Sequence, residues 1–330
     1  MTVNDDYGFA PDTSRALALA TQMQQTLGSS LLHIIDACRG VIETDYGEIE
    51  RVAQELLGGH RYPPITFGLF TDLVLAIEDS RHDTATDLID AIGRLQAATE
   101  TLTIRPLEDP ARSEDTARLV RLMTEDDGGI FSIISPDTAS ASAFSEELAQ
   151  AFAFLEQCIP ELYREISALV TEIILVLPDP KAPMAFDGGS SYMLWGGMFL
   201  NARPRGSLIQ MVELLAHESA HLMLFAFSHS EALVSNDAEG LYESPLRSDP
   251  RPMDGIFHAT WVSARMHWAV AEMVKTDALS EAQRREAIAA NQRNRQQFLD
   301  GYAVIEQHAK LTETGRSVMA AAKQYMQSVG

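Results

Sequence analysis

The segment from Gly206 to Phe227 constrains this chain more than any other. Leu208, Met211, Leu214, Leu215, Leu222 and Phe225 recur at the spacing of a helix that faces a core. The same segment carries His217, Glu218 and His221. Residues four apart on a helix are turned through about 400 degrees, which leaves both imidazoles on one face. Two histidines and a carboxylate are costly to bury in so apolar a helix unless something partners them. A metal ion does so, gripped by the two histidines, with Glu218 in the position of the general base of zinc-dependent hydrolases. The plain alternative is a pair of satisfied core histidines, since the His-Glu-x-x-His pattern by itself is unspecific. Its place after strand-like segments and inside a long buried helix is the setting that favours a metal.

The third ligand decides the chemistry. An extended metalloprotease motif needs Gly at position 224 and His at 227, where this chain has Leu224 and Phe227, and that subclass is excluded. A carboxylate ligand from downstream would be Glu239 or Glu243, both in a stretch that reads as loop. His258 is preferred: it begins the next clear helical pattern, and Ala259, Thr260, Trp261 and Val262 give that helix an apolar face to pack on the motif helix. A helix-start histidine with no ligand role is the competing reading. His229 lies in a polar Ser-His-Ser-Glu stretch and His267 is nine residues beyond His258, so both are expected to be bystanders.

Between the motif and His258 the chain reads Tyr242-Glu243-Ser244-Pro245-Leu246-Arg247-Ser248-Asp249-Pro250-Arg251-Pro252. Three prolines stiffen a loop bearing two arginines. Rigidly held guanidinium groups suit bidentate capture of a carboxylate, such as that of a 2-oxo acid or a peptide terminus. An internal Arg-Asp cluster using Asp249 or Asp254 serves equally well as an account.

Composition excludes several classes. A net charge of -22 argues against nucleic acid or an anionic membrane surface as partner, because phosphate binding needs clustered Lys and Arg. A basic peptide or a small molecule remains compatible. Cys38 and Cys158 are far apart and form neither a disulfide framework nor a thiolate metal site. Asp5 and Asp6 stand where a secretory signal carries Lys or Arg, and no apolar run reaches the ~18 residues that span a bilayer. The expectation is a cytoplasmic protein.

The chain of 330 residues is long enough for one large or two packed domains. Apolar residues at helical spacing make residues 1–125 a helical amino-terminal region. The Gly-, Ser-, Thr- and Asp-rich stretch 126–145 reads as a mobile loop, or a plain linker. Residues 146–330 then form a metal-binding α+β region closed by helices. Within it, Thr171–Leu177 reads as a strand, Ser190–Asn201 as one or two more, and Phe257–Lys275 as a helix. Ser280 with Gln283 reads as a capping box. The expected class is α+β, predominantly helical, with a small sheet beside a zincin-like motif helix.

Two blocks together, His217-Glu218-Ser219-Ala220-His221 and Ser244 through Pro252 closing with Gly255 and His258-Ala259, resemble the HExxH-type 2-oxoglutarate-dependent peptide β-hydroxylases associated with ribosomally made, modified peptides. The likeness is clearest from about Asn201 to Met266. It implies a mononuclear Fe(II) held by His217, His221 and His258, with Arg247 or Arg251 as anchor for 2-oxoglutarate and a precursor peptide as substrate. Three histidines on an octahedral ion leave three positions, the number a chelating 2-oxo acid and dioxygen require, although two histidines and a carboxylate are commoner, and Glu243, Asp249 or Asp254 are then the candidates. In that reading Glu218 orients a ligand or water instead of moving a proton. The alternatives are a zinc metallopeptidase, with Glu218 as base and Tyr242 polarising the carbonyl, and a peptide-binding protein with a structural metal.

Overall fold

The protein is described by a computed structural model covering residues 7–99, 101–125, 131–182, 184, 186–244 and 249–329. It is mostly helical with a small mixed sheet, an α+β protein in which helix predominates. The chain divides into two compact units, neither continuous in sequence. One comprises Leu17–Ser142 and Ser167–Arg203. The other comprises the segment up to Ala16, Ala143–Ile166 and the chain from Pro204 onward.

The first unit contains most of α1 (Thr13–Cys38), then α2 (Gly47–Leu57), α3 (Ile65–Glu78) and α4 (His82–Gly93). They are followed by β1 (Thr103–Pro106), α5 (Ser113–Glu125) and β2 (Ile133–Ile134). The start of α6 (Thr138–Cys158) and the end of α7 (Pro160–Leu169) fall in this unit, and β3 (Glu172–Pro178), β4 (Gly188–Gly189) and β5 (Gly197–Asn201) complete it. β3 is central, parallel to β1 on one side and to β5 on the other, with Ile173 opposite Ile104 and Met198. β4 and β2 add short antiparallel pairings to β5 and β3. Six of the seven β3 residues are buried. That is the pattern of a parallel strand covered on both faces, and it explains why this run shows no polar alternation. Gly196 turns the chain into β5 at φ +89, and its carbonyl accepts from the Thr171 amide and hydroxyl.

Two expectations are corrected here. The amino-terminal 125 residues are not purely helical, because Thr103–Pro106 forms β1. Four residues carry too little periodicity to declare a strand, and pairing with β3 about seventy positions later decides it. The stretch 126–145 does not mark the division between units: β2 and the start of α6 at Thr138 occupy part of it, and 126–130 lie outside the described residues. Ser190–Asn201, expected to hold one or two strands, does hold one, β5, preceded by a 3-10 turn at Tyr192–Leu194.

The other unit is helical. Its main elements are α8 (Leu208–Phe227), α9 (Met253–Lys275), α10 (Glu281–His308) and α11 (Glu313–Ser328), with a ribbon of β6 (Leu241–Tyr242) and β7 (Arg251–Pro252) leading into α9. Ser207 caps α8 by accepting from the Gln210 amide, and Ser280 with Gln283 caps α10 in the expected box. α9 and α10 approach closely at Gly301, where an added Cβ would overlap Thr260 Oγ1. Arg265 of α9 is 2% exposed, pairs with Glu165 of α7 and donates to the Phe9 carbonyl at 2.6 Å. Both charges are thus compensated inside the unit. Among the described residues, no helix is long and apolar enough to cross a membrane.

Candidate metal centre

α8 places His217 and His221 on one face, and their rings meet as the spacing requires, with centroids 4.8 Å apart and Nε2 to Nε2 at 3.1 Å. α9 brings in His258, whose Nδ1 lies 3.1 Å from His221 Nδ1, with ring centroids 5.4 Å apart. α9 starts at Met253, four residues before the helical pattern was expected to begin. His258 is therefore in the second turn and buried at 8% exposure, not at a helix start. The Phe225 ring stands 5.3 Å from His258 and 6.4 Å from His221, closing the apolar side.

His221 is half-buried, and desolvation first, then the neighbouring His217 and His258, hold its pKa well below the usual 6.5. The ring is therefore neutral at physiological pH, the form that ligates a metal. Two nitrogens each about 2.1 Å from one ion lie about 3.0 to 3.4 Å apart for angles between square and tetrahedral, which the 3.1 Å spacings match. His221 meets its two neighbours through opposite ring nitrogens, however, and one imidazole cannot offer both to a single ion. As the rings stand, no group of three His, Cys, Asp or Glu side chains among the described residues converges on a common metal position. Convergence requires the His221 or His258 ring to turn.

Two carboxylates adjoin the cluster. Glu218, 2% exposed, places Oε1 4.0 Å from His217 Nε2, and Asp254, one turn before His258, places Oδ2 3.9 Å from His258 Nε2. Glu239 and Glu243 are exposed. His229 donates through Nδ1 to the Ala226 carbonyl at the end of α8, and His267 faces Tyr325 Oη at 2.8 Å. Burial lowers the His267 pKa to about 4. Tyr242 Oη accepts from Asn236 Nδ2 at 2.9 Å.

Of the two loop arginines, Arg247 lies outside the described residues. Arg251 sits in β7, with Nε 2.8 Å from Asp249 Oδ2 and its side chain 16% exposed. The Arg-Asp pairing weighed from sequence is thus present at this residue.

Sequence reasoning did not single out Glu213, one turn before His217. Its carboxylate accepts from Arg293 Nη2 at 2.9 and 3.0 Å and from Asn294 Nδ2 at 2.7 Å, tying the motif helix to α10. The available signal was a carboxylate at i-4 from His217 on a face otherwise read as apolar. No family model matches the chain, and comparison with curated proteins finds no match.

Proposed function

We propose that this chain is an Fe(II)- and 2-oxoglutarate-dependent oxygenase that hydroxylates the β-carbon of a residue in a ribosomally made peptide in the cytoplasm, through a zincin-like middle portion. The observation that carries the metal-dependent part is the approach of His217 and His258 to His221, each at 3.1 Å, with the His221 imidazole held neutral. Three imidazoles suit Fe(II) and Zn alike, so the donor set fits the implied ion, and the two sequence blocks speak for iron. When bound, Fe(II) with 2-oxoglutarate supplies the oxidising power that replaces a β-hydrogen by hydroxyl, with succinate and carbon dioxide as the other products of cosubstrate and dioxygen.

The chain's own residues have separable tasks in this reading. His217, His221 and His258 hold the ion. Arg251 or Arg247 holds the cosubstrate carboxylate, for which the planar N–H fork of a guanidinium is suited. Asp249 then fixes the Arg251 fork in one orientation. Phe225 and the apolar residues of α8 exclude water from one side of the histidines. Glu218 orients His217 or a water and moves no proton.

A second reading is a zinc-dependent metallopeptidase, favoured by the burial of Glu218 at 4.0 Å from His217. There Glu218 is the general base, a role commonly contributing about 100- to 10,000-fold. The substitution Glu218→Gln separates the two. Under the oxygenase reading, succinate formation coupled to peptide hydroxylation in the Fe(II)-loaded protein falls by less than about tenfold, since the residue takes no proton. Absence of succinate from the iron-loaded native protein, together with peptide cleavage that collapses in Glu218→Gln, overturns the proposal in favour of hydrolysis.

A further inference from the structure

The contacts of His221 restrict which ring nitrogen carries each hydrogen in the histidine cluster. At about pH 8 a histidine is neutral and carries one ring hydrogen. His221 meets His258 through Nδ1 and His217 through Nε2, both at 3.1 Å, so it donates at one nitrogen and accepts at the other. Two patterns satisfy both contacts. In the first, His221 Nδ1–H donates to His258 Nδ1, and His217 Nε2–H donates to His221 Nε2. In the second, His258 Nδ1–H donates to His221 Nδ1, and His221 Nε2–H donates to His217 Nε2.

Two carboxylates distinguish the patterns. In the first, the His258 hydrogen is on Nε2, which faces Asp254 Oδ2 at 3.9 Å, and the His217 hydrogen is on Nε2, 4.0 Å from Glu218 Oε1. In the second, both of these nitrogens turn a lone pair toward a carboxylate. A carboxylate attracts an N–H and repels a lone pair, so both acids favour the first pattern. Neither separation is a hydrogen bond, and the bias is Coulombic. Asp254 lies in the first turn of α9, four residues before His258, the spacing that keeps the two on one face. Its side chain is 62% exposed, so water screens the interaction and the bias is modest.

We infer that Asp254 is a positioning residue: it keeps the His258 hydrogen on Nε2, leaves the His258 Nδ1 lone pair facing the cluster, and so holds the His221 hydrogen on Nδ1. His221 then presents an Nε2 lone pair, the form in which an imidazole takes a metal, while its other nitrogen donates to an outer partner. With His258 held in this way, the ring left to turn for convergence is His221. The consequence for metal affinity rests on the metal-dependent reading proposed above; the placement of the ring hydrogens does not. A carboxylate in the first turn of a helix also has a purely structural role, through its attraction to the helix dipole.

The test reads the ring hydrogens directly, by long-range proton–nitrogen correlation spectra of the histidine side chains in the full chain, stripped of metal with a chelator, at about pH 8. The variants His221→Gln and His258→Gln assign the two rings. The native chain is expected to carry the His221 hydrogen on Nδ1 and the His258 hydrogen on Nε2. Asp254→Ala is expected to lower the Nδ1–H to Nε2–H ratio of His221 about two- to fivefold, and Asp254→Glu, which keeps a carboxylate on that face, to restore it. Calorimetric titration with Zn(II) alone is expected to show about tenfold weaker binding by Asp254→Ala. A native His221 with its hydrogen on Nε2 overturns the inference. So does an unchanged ratio in Asp254→Ala, and a lower Tm in that variant would then leave Asp254 as a helix-end residue only. A native chain with the expected ring hydrogens that binds no Zn(II) overturns the metal-dependent reading and leaves this assignment standing.

Discussion

Both compact units bury ionisable side chains, and they do so in opposite ways. In the sheet-bearing unit Glu172 of β3 is 3% exposed, and its carboxylate accepts from buried Arg105 at 3.1 and 3.2 Å and from Arg112 as well. Charge is matched by charge within the protein, and nothing further is required for the buried carboxylate to persist. In the helical unit His221 faces both His217 and His258, and a proton on it is disfavoured by desolvation and by those two neighbours. His221 is kept neutral, with one ring nitrogen facing His217 and the other facing His258. The first arrangement is complete in itself; the second, on the proposed reading, is completed by a cation. A buried ionisable cluster whose members cannot neutralise each other is the one to examine for a ligand.

The contrast can be broken, and the largest effect lies on the histidine side. His217 is the least buried of the three, its side chain 35% exposed, so His217→Ala is expected to abolish measurable metal binding, beyond the ~100-fold that loss of an outer partner costs, while changing unfolding free energy by less than about 1 kcal/mol. Metal titration by calorimetry and urea unfolding of the metal-free variant read the two quantities. Strong destabilisation with metal affinity intact would reverse the assignment of roles. On the other side Glu172→Ala leaves Arg105 buried without its carboxylate. It is expected to cost about 3–5 kcal/mol in urea unfolding, with metal affinity of the folded fraction unchanged.

A smaller effect sharpens the comparison by moving the frame of the histidines without touching them. Gly301→Ala drives a methyl group into Thr260 Oγ1, two residues from His258 on α9. A cost of about 1–3 kcal/mol is expected, together with weaker metal binding, and the second substitution Thr260→Ala should restore both. Stability lost without any change in metal affinity would show that α9 holds His258 independently of its packing on α10.

The smallest effect concerns pH. His267 binds its proton at about 4 in the folded chain and at about 6.5 when unfolded, so between those values the unfolded state holds more protons. Stability is therefore unaffected by this residue above pH 6.5 and declines as pH falls from 6.5 toward 4. His267→Gln, which keeps a polar group facing Tyr325, is expected to flatten the fall in Tm over that interval. An unchanged Tm profile would assign the acid sensitivity to other groups.

The i, i+4 spacing of His217 and His221 within an apolar run is local, and it fixed their common face before any tertiary contact was known. The caps at Ser207 and Ser280 are equally local, because an orphaned amide is met by the side chain beside it. The β3 run was readable as well, since Ile173, Ile174 and Val176 bring β-branching to a short apolar run that stops at Pro178. β1 was not, because four residues with a proline become a strand only by meeting β3. Nor was the division into two units, each assembled from segments far apart in the chain. The approach of His258 to His221, the Glu213 clamp from α10 and the neutralisation of Glu172 join residues 37, 81 and 67 positions apart. Patterns that repeat within a turn of helix or a few residues of strand are set by backbone geometry and are written in the sequence. Partnerships across such separations follow from how helices and strands pack, and only the tertiary structure selects them.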